Sequence, residues 1–186
     1  MTVELRRRRF TVHDYYEMAR AGILTEDDRV ELIEGEILEM AAIGSRHAGV
    51  VNRLTRILVE QTRDQAVVTV QNPVRLSDLS EPQPDLALLR ARPDTYTEAH
   101  PRPDDVLLIV EVAHTTLGFD REVKMPLYAT AGVPEVWLVD VEGGVVEVYR
   151  NPQRGRYANV RRAGPGVTLH PGGLPSVAVE VGAVLA

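Results

Sequence analysis

The stretch VLLIVEVA, residues 106–113, constrains this chain more than any other. Seven of its eight residues are apolar, and it lacks the alternation of a half-exposed strand. A continuous apolar run of this length reads as a central strand covered on both faces. A sheet buried on both sides needs helices packed against it. The fold class is therefore α/β or α+β, with one mixed central sheet flanked by helices. Glu111 interrupts the run, and an ionised carboxylate in a dry strand is costly unless something compensates it.

The flanking segments fill in that frame. TVHDYYEMAR (11–20) predicts a short helix stopped near Gly22. RVELIEGEILEM (29–40) predicts a hairpin turning near Gly35. SRHAGVVNRLTRILVEQTR (45–63) is the clearest helix, with Ser45 as N-cap and Val51, Leu54 and Leu58 on one face. Strands are expected over 66–76 and 85–90. Residues 117–132 predict a helix with Pro126 as a kink and Gly132 as its stop. Residues 135–150 predict a hairpin around Gly143-Gly144. The remainder, 151–186, reads as short strands and turns without a helical period. There is no internal repeat and no low-complexity linker, so one domain over 1–186 is expected, its core about 29–141 and 142–186 peripheral.

Composition excludes several function classes. The 186 residues are 44% hydrophobic and 26% charged, which describes a cored domain and not a disordered chain. No apolar run approaches the roughly 20 residues that span a bilayer, and no signal peptide is visible; a cytoplasmic location without membrane contact is expected. Cysteine is absent, which removes disulfides, thiol nucleophiles and cysteine metal sites. The formal net charge of −6 argues against a protein that grips nucleic acid by bulk charge, but not against one with a local patch. Arg6 to Arg9 form one basic run; a solvated N-terminus and a phosphate contact are both open readings of it.

Chemistry concentrates in three segments. Glu111 is either a strand end that reaches solvent, the partner of one of the many arginines, or a metal-binding or catalytic carboxylate. Asp85, after Pro84 at the entry of the preceding strand, is either a turn residue or a second acid converging on the same sheet edge. Two such carboxylates and a main-chain carbonyl would suit a hard cation that keeps several waters. Lys124 is the single lysine among 21 basic residues. Asp120, Lys124 and Tyr128 fall at i, i+4 and i+8, on one helix face. Phe119, Val123 and Leu127 make the neighbouring apolar stripe, expected to pack on the sheet, with Lys124 at its border. Lysine is a compact charge with a tunable pKa, whereas arginine is forked and always protonated. A site that positions or deprotonates a water favours the amine; an exposed Asp120–Lys124 pair is the plain alternative. His47, at the start of the second helix, is either a structural histidine or a contact near the site.

These residues resemble the PD-(D/E)XK nuclease superfamily, and within it the restriction-endonuclease-like family of proteins. ELIEGEILEM, His47, PDLALL, VEVAHTT, DREVK with the following Tyr128, and AGVPEVWLVD carry the resemblance. In the superfamily's usual motif a lysine stands two residues after the glutamate, where this chain has Ala113. The family is similar in moving that lysine to the following helix, which Lys124 matches. The resemblance implies a restriction-endonuclease-like core with extra hairpins on either side. It implies phosphodiester hydrolysis of nucleic acid, DNA above RNA, by an endonuclease-like enzyme. Asp85, Glu111 and the main-chain carbonyl of Val112 would hold Mg2+ or Mn2+. Lys124 would orient or help deprotonate the attacking water. Glu31 is a candidate for an additional acidic position, with an outward-facing strand residue as its alternative. His47, Asp120 and Tyr128 would stand around the site.

Two other functions compete. A catalytically silent domain that binds nucleic acid or a protein is favoured by the negative net charge. Glycoside hydrolysis by a carboxylate pair is disfavoured because nine aromatics, scattered along the chain, offer no sugar platform. A two-fold homodimer is the expected assembly.

Overall fold

The computed structural model describes residues 7–25 and 27–186; of the basic run at the start, Arg6 lies outside them. Thr11 caps the first helix, α1 (Val12–Arg20), through a reciprocal exchange with Asp14. A hairpin follows, β1 (Val30–Ile33) and β2 (Glu36–Glu39), turned by Glu34 and Gly35 at φ 49° and 81°. That doubly left-handed turn matches the twist of the strands it joins. Helix α2 spans Ser45–Thr62, and the cap is the extended Gly44, so Ser45 is helical and caps nothing.

Strands β3 (Ala66–Val70), β4 (Leu86–Arg90) and β5 (Val106–Ala113) come next. The first ends six residues sooner than its composition predicts, because Gln71 turns to φ 52° and Pro73 follows. After β5 the chain enters α3 (Leu117–Phe119), a π-helical turn (Asp120–Lys124) and α4 (Met125–Ala131), which Gly132 stops at φ 83°. Strands β6 (Glu135–Asp140), β7 (Val145–Gln153) and β8 (Arg156–Ala163) complete the large sheet. Beyond them lie β9 (Thr168–Leu169), β10 (Val179–Glu180) and the short helix α5 (Val181–Leu185). The last 36 residues thus include a full sheet strand and a helix, where the sequence pattern shows only short strands and turns.

The six strands run in the order β3-β4-β5-β6-β7-β8, and only β5 and β6 are parallel. The helical segment between those two is their crossover connection. Period-two alternation assigns the faces. Leu108, Val110 and Val112 of β5 join Leu54 and Leu58 of α2 and Val181 and Val184 of α5 in one core cluster. Ile109 joins Met125, Tyr128 and Ala129 in the other. All eight residues of β5 are buried, as its unbroken apolar pattern predicts. Gln61 fixes the C-terminal segment to α2 by bonding both the amide and the carbonyl of Ala178, at 2.7 Å each. Among the described residues no helix is long and apolar enough to cross a membrane.

The crossover helix corrects one expectation. Its buried line is Asp120, Lys124, Met125, Tyr128 and Ala129, while Phe119 is exposed and Val123 and Leu127 are half-buried. Lys124 and Tyr128 turn inward onto the Glu111 carboxylate, and Asp120 is held by the Thr116 hydroxyl. Pro126 also acts differently from a simple kink. It has no N–H to donate, and the turn before it widens so that the Met125 amide bonds the Asp120 carbonyl five residues back.

Candidate active site

Asp85 and Glu111 reach the same face of the sheet by strand parity. Leu86 pairs with Val110 in the antiparallel β4–β5 ladder, so the next position outward sets Asp85 beside Glu111. Both then lie on the face covered by the crossover helix. That helix lowers Lys124 onto them, its Nζ 3.2 Å from Glu111 Oε1. The N-terminal hairpin closes the other side. A bridge from Leu32 to Glu81 holds β1 against the β4 approach and places Glu31 Oε1 3.3 Å from the same Nζ. Glu31, read from sequence as either strand surface or site, is buried at 5% exposure.

Each acid is gripped mainly through one oxygen. Glu111 Oε1 accepts from Lys124 and, at 2.6 Å, from the Tyr128 hydroxyl. Asp85 Oδ2 accepts from the Val112 amide at 2.9 Å and lies 2.9 Å from His47 Nε2. Its Oδ1 takes only a longer bond, 3.3 Å, from the Gln71 amide. Asp120 accepts from Thr116 Oγ1 at 2.7 Å. Glu31 Oε2 accepts from the Gln83 amide at 3.2 Å. All of these except Tyr128 line, or border directly on, a cleft of about 430 Å³. Tyr128 stands behind Glu111, fully buried.

The charges do not balance. Glu31, Asp85, Glu111 and Asp120 cluster about Lys124, with His47 on Asp85; Glu39, Arg29 and His114 also line the cleft, so acids outnumber the fixed cations. Burial pushes the Glu111 carboxyl up to about 8; Lys124 pulls it down, and Asp85, Asp120 and Glu31 add to the rise. Burial likewise raises Asp120. On Lys124, burial works against the charge, but Glu111, Glu31 and Asp120 outweigh it and hold the amine above its ordinary value. The ammonium is therefore the form present, which suits positioning and charge stabilisation better than proton abstraction. A single compact ammonium thus meets two buried carboxylates at 3.2 and 3.3 Å, where an arginine would bring a larger planar fork.

The structure brings Asp85, Glu111, Val112, Lys124, Glu31, His47, Asp120 and Tyr128 into one place. The sequence reading omitted Gln71 and Gln83, which hold Asp85 and Glu31; the prolines beside them in QNP and PQP were the only signal. Among the described residues, no group of three or more His, Asp or Glu side chains converges as a metal cage. The donors nonetheless fit a hard cation that keeps its waters. Negative charge is in excess, and both principal acids keep one oxygen lightly engaged or free of these bonds.

The fold is thus a mixed-sheet α/β domain with an acidic cleft where β4, β5 and the crossover helix meet. The chain belongs to the Uma2 family, described as "Putative restriction endonuclease", whose model matches residues 12–182. It is also similar to a solved structure titled a putative nuclease belonging to DUF820, from Anabaena variabilis. The TM-score is 0.73 at 14% identity, covering 95% of this chain and 97% of that one. At that identity the likeness shows the shared fold. No curated protein matches.

Proposed function

We propose that the protein hydrolyses phosphodiester bonds of nucleic acid, DNA before RNA, in dependence on a divalent cation. Asp85, Glu111 and the main-chain carbonyl of Val112 would hold Mg2+ or Mn2+, which when bound supplies Lewis-acid stabilisation of the phosphate and a more acidic water. The reading rests on the cluster of carboxylates at the cleft, where burial, added to by Asp85, Asp120 and Glu31, holds Glu111 above its ordinary range in spite of Lys124.

The chain's own groups then have distinct tasks. Tyr128 and Lys124 hold Glu111 through Oε1, so that its other oxygen would be available to a cation. The His47 ring and the Val112 amide fix Asp85 through Oδ2. Glu31 steadies Lys124 from the side opposite Glu111. Its ammonium orients the incoming water and meets charge developing on the phosphate oxygens. The water oxygen bonds to phosphorus as it gives a proton to solvent, the bond to the leaving sugar oxygen breaks, and that oxygen takes a proton from solvent. A two-fold dimer would bring two such clefts to a duplex.

A second reading, a catalytically silent binding domain on this fold, is favoured by one observation. Lys124 and Tyr128 already satisfy Glu111 Oε1 without any ligand. Incubation of the pure protein with single- and double-stranded DNA and RNA, with Mg2+, Mn2+ or chelator, separates the two. We expect cation-dependent scission that disappears in Glu111→Gln. No scission of any polymer with either cation would overturn the proposal.

A further inference from the structure

The chain's charge is strongly divided along its length. Residues 148–179 contain five arginines and no aspartate or glutamate. The other 154 residues hold 16 basic and 27 acidic side chains, a formal −11 against the whole chain's −6. The arginine-rich stretch is not a tail. It forms the outer half of β7, the turn at Arg154-Gly155 and the whole of β8, the last strand of the large sheet.

These arginines fall into two groups. Arg150 bonds Glu135 at 2.7 Å, and Arg162 bonds Glu147 at 2.8 Å, so both serve buried acids. Arg154, Arg156 and Arg161 are exposed and make no side-chain hydrogen bond or ion pair among the described residues. Val160, on the same strand, is 54% exposed. Edge strands often carry charge to prevent pairing with other strands, but acids would serve that purpose equally well. A run with no acid at all answers a different need.

We infer that the β7–β8 ribbon is a nucleic-acid contact surface, its free arginines gripping backbone phosphates around the open edge of the sheet: Arg154 and Arg156 by the turn, and Arg161 opposite Val148 on the face away from Glu147. This rests on the nuclease reading and adds where the polymer lies. Guanidinium forks match phosphate oxygens. The ribbon is also tied to the cleft. Arg121, next to the cleft residue Asp120, grips Glu147 at 2.8 and 3.0 Å, and Glu147 in turn holds Arg162 of β8. The far end, at Gly155, rests beside Thr130 of α4. Eight strand residues extend about 26 Å, the length of roughly seven nucleotides at 3.4 Å each. The acidic cleft would repel a polymer held only there, and the ribbon supplies the cations that it lacks.

The test measures binding without cleavage. Anisotropy of a labelled duplex DNA, long enough to span cleft and ribbon, is followed in chelator across a salt series. The triple variant Arg154→Gln, Arg156→Gln, Arg161→Gln should bind on the order of tenfold or more weakly near 0.1 M salt. Its plot of log affinity against log salt should be shallower by about 2.7, some 0.9 per lost phosphate contact. The corresponding triple Arg→Lys variant should keep most of the slope. A control removing the same charge elsewhere, Arg20→Gln, Arg56→Gln, Arg63→Gln, should leave it near the parent's. Equal weakening by both glutamine triples, or parent-like binding in the ribbon triple, would overturn the inference. So would ribbon-dependent binding to phosphatidylserine vesicles with none to DNA. Binding that depends on the ribbon in a protein that never cleaves would instead remove the catalytic reading and leave this one standing.

Discussion

Glu111 and Glu147 lie in one row across the sheet, on either side of Leu138, with which both are in register. Both are buried, at 3% and 2% exposure, and both face the crossover helix. Their company differs. Glu147 receives Arg121, Arg162 and the Tyr149 hydroxyl, and these bonds outweigh its burial and lower its pKa. Glu111 receives one lysine and one tyrosine amid three further acids, and its pKa is raised. The first carboxylate is a finished structural ion cluster. The second carries more acid than base around it, the arrangement on which the proposed cation site rests.

The comparison breaks most visibly in activity. Glu111→Gln and Asp85→Ala should each lower cation-dependent scission by on the order of 1000-fold or more. Glu147→Gln should leave scission within a few fold. Comparable losses in all three, measured on one labelled substrate, would erase the distinction. Lys124→Arg should fall nearly as far as Lys124→Ala, because the larger planar head would displace the single charge held 3.2 and 3.3 Å from two buried acids.

Stability should divide the pair the other way. Glu147→Gln strands Arg121 and Arg162, and we expect a loss of about 2 kcal/mol in urea unfolding, moderated because both guanidiniums reach solvent. Glu111→Gln should be nearly neutral without cation at pH 4.5 and below, and increasingly stabilising as pH rises to about 8, since over that window the parent must take up a proton at Glu111 to fold.

Their pH dependence should also be opposite. The folded protein keeps the Glu111 proton to about 8, against 4.5 for an ordinary Glu. The cation-free fold therefore loses stability as pH climbs through that window, and Glu111→Gln should flatten the slope. Glu147 is lowered below 4.5, so its contribution is complete above that value and disappears as pH falls through the lowered pKa. Melting temperature against pH for the parent and both variants checks the signs. The smallest effect is Tyr128→Phe, which removes one donor from Glu111 and should cost about 1–2 kcal/mol with a several-fold change in scission.

How much of this is visible in the sequence depends on range. The central strand is legible because burial on both faces leaves an unbroken apolar run, and Glu111 stands out against it. Asp85 and Lys124 are legible as chemistry, one beside a proline and one as the lone lysine. The inward turn of the crossover helix is not, because the π turn before Pro126 shifts the helical phase and the buried partners lie on other elements. Glu31 is ambiguous for the same reason, since its burial depends on a bridge between Leu32 and Glu81, about 50 residues apart. The strand at 156–163 lacks an apolar face on its outer side, so its pattern is that of a loop until β7 pairs with it.

Calorimetric titration of Mn2+ and Mg2+ into the parent, Glu111→Gln and Glu147→Gln near pH 6.5 tests the charge-deficient site directly. We predict saturable binding to the parent with proton release, since the cation displaces the proton that Glu111 holds there. We predict the same for Glu147→Gln and loss in Glu111→Gln. Binding unchanged by Glu111→Gln, or no binding to the parent at millimolar cation, would contradict the account.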